Sequence, residues 1–401
     1  MASTRRDWFR RPQAADLARR LARRRCYIQV VVGPRHVGKT SLVERVTDAA
    51  GVPVHFASAD LPTVRGAEWI AREWEAARSA GRGAGAILVL DEVHKAANWA
   101  ATVSGLWDED SRAGRPLKVV VVASQAPEEA DGIARLLKER AEVLRLSHWS
   151  FGEMRAAFEF SLKEYVYFGG YPGAGPLVRD WQRWRRFVLE GPVETTIARD
   201  LLLLTRVDKP ALLRRFFELC CRHSGEVRSY TTMLGELEGA GNTTTLAHYL
   251  GLLSTAGLVT GIRKFVGGAA RQRGPSPKLQ VLNTALRSVH ASPSFEEALR
   301  DPDQWGRCVE AAVGAQLANA AARGECELFH WRQGSLGVDF VVRVGRTVTA
   351  IEVASGRARE GGSGLARFAR GFGVRRHLVV GGSGIPLERF LLAPLAALAA
   401  R

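Results

Sequence analysis

A glycine-rich segment near the start of the chain has the residue types and spacing of a phosphate-binding loop. Residues 33–40 read GPRHVGKT and match the pattern G-x-x-x-x-G-K-[ST] in full. Its glycines let backbone N–H groups face phosphates, its lysine reaches the β and γ phosphates, and its threonine hydroxyl binds Mg²⁺. The predicted nucleotide-binding residues are Gly33, Pro34, Arg35, His36, Val37, Gly38, Lys39, Thr40 and Ser41.

A second motif supplies carboxylates for the same chemistry. Residues 86–92 read AILVLDE, an apolar run that ends in Asp91 and Glu92. We expect Asp91 to hold Mg²⁺ together with Thr40, and Glu92 to polarise the attacking water, with Lys39 on the phosphates. An isolated acid pair at a strand end is often only solvated, but the phosphate loop on the same chain favours ATP hydrolysis with ATP and Mg²⁺ as cofactors.

The elements that must position these motifs are apolar strands alternating with helical segments. Residues 26–32 (CYIQVVV), 86–90 and 117–123 (LKVVVVA) are apolar throughout, which is typical of strands buried on both faces. Strand–helix alternation of this kind predicts an α/β domain over residues 1–155, with a parallel sheet covered on both sides.

The pattern changes in the rest of the chain, where two further domains are predicted. Residues 156–266 are mostly helical and include two helices joined by a tight turn, followed by a basic strand at 262–266. This order resembles a helical lid with a winged helix. After a loop rich in Gly, Arg and Pro, residues 278–401 return to mixed strands and helices.

Composition narrows the classes of partner. The 401 residues carry 57 Lys+Arg against 41 Asp+Glu, a net charge of +16, which favours binding to polyanions such as nucleic acid. Genomic base bias is the alternative explanation for the arginine content. Five cysteines without paired spacing argue against disulfides and zinc, and no apolar run approaches the roughly 20 residues that span a bilayer. We therefore expect a cytoplasmic protein without membrane contact.

Segments along nearly the whole chain resemble the prokaryotic AAA+ ATPases that carry a C-terminal DUF4143 domain. In the first half these are GPRHVGKT, LVLDEVHKAANW (88–99), LKVVVVASQ (117–125), RLLKERAEVLRLSHWSFGEM (135–154) and FGGYPGAG (168–175). In the second half they are SPKLQVLNTAL (276–286), WGRCVEAAVGAQL (305–317), FHWRQGSLGVDFVV (329–342) and AIEVASG (350–356). The resemblance implies an AAA+ core, a helical and winged-helix-like middle and a C-terminal restriction-endonuclease-like α/β domain.

The resemblance also implies roles for polar residues outside the two motifs. Ser124 or Gln125 stands at the sensor position, where a polar side chain contacts the γ-phosphate. Arg140 stands where the family has an arginine that enters a neighbouring subunit, which implies a homo-oligomer, most plausibly a ring. An ordinary surface position or a local salt bridge is an equally weighted alternative for Arg140.

A nuclease-like fold would gather Glu310, Asp339 and Glu352 around a second metal site. The family pattern ends in E-V-K-S, but here Glu352 is followed by VAS, so the lysine is replaced by Ala354. Gly337 stands where the family has another acid. We therefore expect this domain to bind DNA, a partner protein or a neighbouring subunit without efficient cleavage.

Candidate nucleic-acid contacts lie on the second helix of the predicted turn, on the following strand and on the basic loop. They are Asn242, Thr243, Thr244, Thr245, Arg263, Lys264, Arg271 and Arg273. Winged helices also serve as lids or protein contacts, so this assignment depends on the basic charge of the chain.

These observations favour an oligomeric AAA+ ATPase that is stimulated by DNA and acts on nucleic acid. One alternative is a nucleotide-gated switch with slow turnover, in which ATP controls a DNA- or protein-binding module. Another is an ATP-regulated nuclease of a defence or toxin system.

Overall fold

The apolar runs of the first third form a parallel sheet in the computed structural model. The structure describes residues 9–60, 66–81, 85–124, 133, 135, 137, 140–202, 207–239, 241–267, 276–291, 294–354 and 362–395. The chain divides into two compact units, Met1–Ser147 and His148–Arg401.

The first unit is built from five strands and four described helices. Its elements are α1 (Pro12–Ala22), β1 (Ile28–Val32), α2 (Lys39–Asp48), β2 (Val54–Ser58), α3 (Ala67–Gly81), β3 (Ile87–Asp91), α4 (Trp99–Arg112), β4 (Lys118–Ala123) and β5 (Ala141–Arg145). The strands are all parallel, in the order β2-β3-β4-β1-β5. Most residues between β4 and β5 lie outside the described residues.

Alternate side chains of these strands enter two separate cores, one on each face of the sheet. On one face, Val30 and Leu88 pack with Trp74 of α3 and Val103 of α4. The other face packs strand residues against α1 and α2, including Leu17 and Leu42. Burial on both faces explains why the strands are apolar throughout, and the predicted parallel sheet with helices on both sides is confirmed.

The second unit contains eleven α-helices and six strands among its described residues. Its helices are α5 (Phe151–Phe158), α6 (Leu162–Phe168), α7 (Trp181–Val188), α8 (Pro210–Arg222), α9 (Tyr230–Gly235), α10 (Thr243–Thr255), α11 (Thr284–Ala291), α12 (Phe295–Arg300), α13 (Pro302–Ala322), α14 (Gly362–Phe372) and α15 (Leu387–Leu392), with π-helical turns at Leu189–Val193 and Thr196–Leu201. Its strands are β6 (Val259–Lys264), β7 (Lys278–Val281), β8 (Glu327–Gln333), β9 (Leu336–Val344), β10 (Thr347–Ala354) and β11 (Arg376–Gly381).

One mixed sheet joins the regions that the sequence assigned to separate domains. Its six strands run in the order β11-β10-β9-β8-β6-β7. The predicted wing strand β6 pairs antiparallel with β7 and parallel with β8, so residues from both sides of the 267–277 loop share the sheet. The division into 156–266 and 278–401 stays a prediction.

Candidate nucleotide site

Two glycines shape the loop between β1 and α2. A Cβ atom built on Gly33 would lie 2.4 Å from the carbonyl oxygen of Leu146, so any side chain here meets backbone. Gly38, directly before α2, has φ +86°, a left-handed conformation that side chains disfavour. The sequence pattern therefore reflects a close backbone approach at one glycine and a left-handed turn at the other.

Lys39 begins α2 and directs its ammonium back into the loop. The side chain is buried, and Nζ donates a 2.8 Å hydrogen bond to the carbonyl oxygen of Pro34. A phosphate oxygen can replace that carbonyl as the acceptor, with the stronger attraction of opposite charges. The position suits the role that the sequence assigned to Lys39.

Asp91 ends β3 beside Thr40. The Thr40 hydroxyl donates to Asp91 Oδ2 at 3.2 Å. Burial and the neighbouring Glu92 charge raise the pKa of Asp91 to about 6, although Lys39 opposes the shift. Among the described residues, the buried Oδ1 atom has no hydrogen-bond partner. A desolvated carboxylate with an unused oxygen next to a hydroxyl fits a hard divalent cation, so Asp91 and Thr40 are the residues that would hold Mg²⁺.

Glu92 directly follows β3 in a left-handed backbone conformation, with φ 53°. Its carboxylate accepts a hydrogen bond from the Ser124 hydroxyl at the end of β4. Arg35 lies 3.4 Å away and Lys95 3.6 Å away. Burial opposes ionisation, but the charges of Lys39, His94 and Arg35 outweigh it and hold the pKa of Glu92 below its ordinary value. Glu92 is therefore ionised near pH 7, and its carboxylate oxygens already contact Ser124, Arg35 and Lys95.

Asp60 is a member of this site that the sequence did not single out. It follows β2, and Lys95 Nζ lies 2.5 Å and Arg35 Nη2 3.2 Å from its Oδ1 atom. Although burial acts in the opposite direction, these two cations lower its pKa to about 2. The signal was available in principle, because β2 and β3 are neighbouring parallel strands whose carboxyl ends share one edge of the sheet.

Three further residues of the predicted loop, His36, Val37 and Ser41, have different environments. His36 has φ 60° and is exposed overall, but partial desolvation of its ring and the charges of Arg35 and Lys39 lower its pKa to about 4, so the ring is neutral near pH 7. The Val37 side chain is fully buried, and its carbonyl accepts from Arg11 Nη1 at 3.3 Å. Ser41 is exposed on α2.

The arginine expected at a subunit boundary is engaged within its own unit. Arg140 donates from Nε and Nη2 to the two carboxylate oxygens of Asp108 on α4, at 2.6 and 2.9 Å. This geometry matches the local salt bridge that was the alternative for Arg140. Gln125, the other sensor candidate beside Ser124, lies outside the described residues.

The three acids of the expected second metal site are not assembled around a metal position. Lys278 Nζ lies 2.7 Å from Glu310 Oε1 and 3.9 Å from Asp339 Oδ1, and its side chain is only 3% exposed. Asp339 Oδ2 accepts from the Val353 backbone N–H at 2.9 Å, next to Glu352. Across the described part of the chain, no group of three or more His, Cys, Asp or Glu side chains is arranged to hold a metal ion. The second metal site therefore stays a prediction, and among the described residues a buried ammonium already balances two of its three carboxylates.

The candidate nucleic-acid residues lie at the start of α10 and on β6. Asn242 caps the helix, because its Oδ1 atom accepts from the Thr245 backbone N–H at 2.9 Å and from the Thr245 hydroxyl at 3.1 Å. Thr243 and Thr244 are exposed, as are Arg263 and Lys264. Arg271 and Arg273 lie outside the described residues.

Two family models match the chain, and the boundary between them lies near the boundary between the two compact units. Residues 26–155 match the AAA domain, and residues 159–295 match a domain of unknown function, DUF8612. The prediction of a C-terminal DUF4143 domain is therefore wrong, because the family model that matches after the AAA domain is DUF8612. No curated protein matches the chain.

Solved structures show distant likeness only. The Holliday junction branch migration motor RuvB of Thermotoga maritima is 16% identical, with 59% of this chain and 82% of that chain covered and a TM-score of 0.33. AMPPCP-bound DnaA from Aquifex aeolicus is 13% identical, with 60% and 85% covered and a TM-score of 0.31. Likenesses this distant carry no argument about function. Within the described ranges, no helix is both long and apolar enough to cross a bilayer.

Proposed function

We propose that this chain hydrolyses ATP at the AAA domain and couples the reaction to nucleic acid. The observation that carries the ATPase proposal is the grouping of Lys39, Thr40, Asp91 and Glu92 at one edge of the parallel sheet, with Asp91 Oδ1 buried and unused among the described residues. Each group has a different role in phosphoryl transfer, so their proximity is worth more than either motif alone.

The protein's own groups divide the work as follows. Backbone N–H groups of the loop and the Lys39 ammonium bind and orient the phosphates, and α2 adds its positive N-terminal end. Glu92 orients the attacking water and takes up its proton. Ser124 contacts Glu92 and lies at the position from which a γ-phosphate would be read. Mg²⁺ held by Thr40 and Asp91 supplies charge neutralisation of the phosphates.

The experiment is steady-state ATP hydrolysis by the full chain, with Lys39→Ala and Glu92→Gln as matched variants. We expect Lys39→Ala to lose nucleotide binding, and Glu92→Gln to bind nucleotide while kcat falls by about 100-fold or more. Hydrolysis in the wild type no faster than in Lys39→Ala would overturn the ATPase proposal.

The nucleic-acid part of the proposal is supported by charge and by element order in the second unit. Helix α8 is followed by a bridge of Val227 to Lys278, then by α9, α10, β6 and β7, which is the order of a winged helix. The exposed start of α10 and the exposed Arg263 and Lys264 lie on consecutive elements of this segment. With a net charge of +16, polyanion binding at this surface is the favoured function.

Adding single-stranded, double-stranded or branched DNA to the ATPase assay tests this part. We expect one DNA form to raise the rate, and the double variant Arg263→Gln, Lys264→Gln to weaken binding and flatten its salt dependence. A rate and a binding signal that are indifferent to every form would redirect the search to a protein partner.

Assembly and cleavage complete the proposal. A ring would require Arg140 to leave Asp108 for a neighbouring subunit, and light scattering with and without AMPPCP tests assembly.

We propose that the C-terminal region does not cut nucleic acid, because Lys278 is paired with Glu310 and Ala354 replaces the lysine of the motif. Cleavage with Mn²⁺ that is lost in Asp339→Ala would overturn that part.

A nucleotide-gated switch with slow turnover remains the second candidate. It is favoured by one observation, the engagement of Glu92 by Ser124 and two nearby cations. A burst of one phosphate per site followed by a slow phase would select the switch over the motor.

A further inference from the structure

Four charged side chains, Arg35, Asp60, Glu92 and Lys95, contact one another between the phosphate loop and the acid strand, with His94 Nε2 3.7 Å from Glu92 Oε2. Arg35 Nη2 lies 3.2 Å from Asp60 Oδ1 and 3.4 Å from Glu92 Oε2. Lys95 Nζ lies 2.5 Å from the same Asp60 atom and 3.6 Å from the same Glu92 atom. Arg35 and Lys95 are therefore both shared between Asp60 and Glu92. A stronger ion pair with one carboxylate weakens the ion pair with the other.

Backbone hydrogen bonds hold the segments that carry three of these four residues, Asp60, Glu92 and Lys95. The Ala59 N–H donates to the Asp91 carbonyl at 2.9 Å, which ties the segment carrying Asp60 to the end of β3. The Lys95 N–H donates to the Glu92 carbonyl at 3.0 Å, which closes a short helical turn after β3. Arg35 is the exception, because it belongs to the loop that is expected to change partners when phosphates bind.

Three of the four side chains have little contact with water, so their charges act strongly on one another, whereas that of Asp60 is 31% exposed. The side chains of Arg35 and Lys95 are each 12% exposed, and that of Glu92 is 7% exposed. Glu92 also accepts from Ser124. A carboxylate held in this way by two cations and a hydroxyl is poorly placed to take a proton from water.

We propose that Arg35 is a positioning residue that restrains Glu92 until phosphates bind. Its guanidinium pairs with Glu92 from within the phosphate loop. A bound polyphosphate offers the guanidinium a stronger anionic partner, and its departure releases Glu92 toward the attacking water. This inference rests on the proposed ATPase function and adds to it a link between occupancy of the loop and readiness of the base.

Asp60 has the opposite effect in this scheme. It competes with Glu92 for both cations, since both are closer to it than to Glu92. If Asp60 is neutralised, Glu92 becomes the stronger attraction for Arg35 and Lys95 and is held more firmly. Removing the arginine and removing the aspartate must therefore change turnover in opposite directions.

The first test is the kinetics of ATP hydrolysis in Arg35→Gln, Arg35→Lys and Asp60→Asn. We expect Arg35→Gln to raise kcat and also raise KM for ATP, and Asp60→Asn to lower kcat, each by about three- to tenfold. Arg35→Lys keeps the charge and should stay within about twofold of wild type. Arg45→Gln, at an exposed position of α2, is the matched control.

The opposite signs separate this role from a structural one. A merely structural Arg35 predicts that kcat falls in both Arg35→Gln and Asp60→Asn, and that result would overturn the inference. Absence of hydrolysis in the wild type would instead count against the proposed function, and a binding measurement then decides the inference.

That measurement is a double-mutant cycle on the affinity for AMPPCP with Mg²⁺. If Glu92 holds Arg35 away from the phosphates, Glu92→Gln frees the guanidinium and tightens binding. The tightening should be at least about threefold smaller in the Arg35→Gln background. Equal effects of Glu92→Gln in both backgrounds would show that the two residues are not coupled and would overturn the inference.

Discussion

Asp110 illustrates at the residue scale how much a buried charge depends on its partners. Its side chain is 0% exposed, and it accepts from Trp74 Nε1 at 2.8 Å and from Arg78 Nε at 2.9 Å. Without this carboxylate the buried Trp74 Nε1 loses its acceptor, whereas Arg78 keeps Glu75 and Glu109 as anionic partners. The packing of α3 against α4 therefore depends on the Asp110 carboxylate.

We expect Asp110→Ala to lower the free energy of unfolding of the first unit by about 1–3 kcal/mol, because a buried donor is left without its acceptor. The matched control is Asp16→Ala on α1, whose ion pairs with Arg19 and Arg20 lie near the surface and contribute at most about 1 kcal/mol. Urea unfolding of the three proteins gives the comparison. Equal losses in the two variants would contradict the account of Asp110.

His290 gives the second unit a predictable response to acid. Its ring packs edge-on against Phe217, with 5.3 Å between ring centroids. Burial, and next the charges of Arg185 and Arg222, lower its pKa from 6.5 to about 4. Between pH 6.5 and pH 4 the unfolded chain therefore binds a proton at His290 that the folded chain does not bind. The contribution of neutral His290 to the free energy of unfolding is fully present above pH 6.5 and falls as the pH drops toward 4.

His290→Phe should remove this slope. Urea unfolding at pH 7.5, 6.5, 5.5 and 4.5 should show the wild type losing on the order of 2–3 kcal/mol more than the variant across the range. His248→Gln, an exposed position on α10, is the control and should follow the wild type. Parallel pH profiles for wild type and His290→Phe would sink this prediction.

At the scale of elements, the phosphate loop depends on how closely β1 and β5 approach. The Leu146 N–H donates to the Val32 carbonyl at 2.8 Å, which brings the Leu146 backbone against Gly33. The strand pairing therefore fixes the base of the loop, and the loop cannot accept a side chain there.

Gly33→Ala should destabilise the first unit by about 1–3 kcal/mol and weaken nucleotide binding, because a backbone carbonyl cannot move aside as a side chain can. Gly105→Ala on α4 meets nothing within 4 Å and should stabilise by about 0.5–1 kcal/mol through helix propensity. Thermal unfolding and AMPPCP titration of both variants test the contrast. A Gly33→Ala protein as stable as Gly105→Ala would contradict the clash.

At the scale of the whole molecule, the two units have separate cores, and the proposed nucleotide site lies in the first unit. A ligand that binds one folded unit stabilises that unit by an amount set by its concentration relative to Kd. Unfolding of such a chain is not a single two-state event.

Calorimetry should therefore show two transitions, of which MgATP raises only one. At 100 times Kd the stabilisation is about 2.7 kcal/mol for a single site. Lys39→Ala should abolish the shift and leave both transitions in place. Equal shifts of both transitions by MgATP would show that nucleotide binding stabilises more than the first unit.

The sequence by itself determined the parallel sheet and the two motifs of the proposed nucleotide site. Long apolar strands, a G-x-x-x-x-G-K-T loop and an acid pair after a strand are local patterns, and each has one dominant physical explanation. The tertiary structure decided the partners of the charged residues. Asp60 joins Arg35 because β2 lies beside β3, Arg140 pairs with Asp108, and Lys278 meets Glu310 from a distant strand. Such pairings depend on strand order and helix packing, which bring together residues that are far apart along the chain.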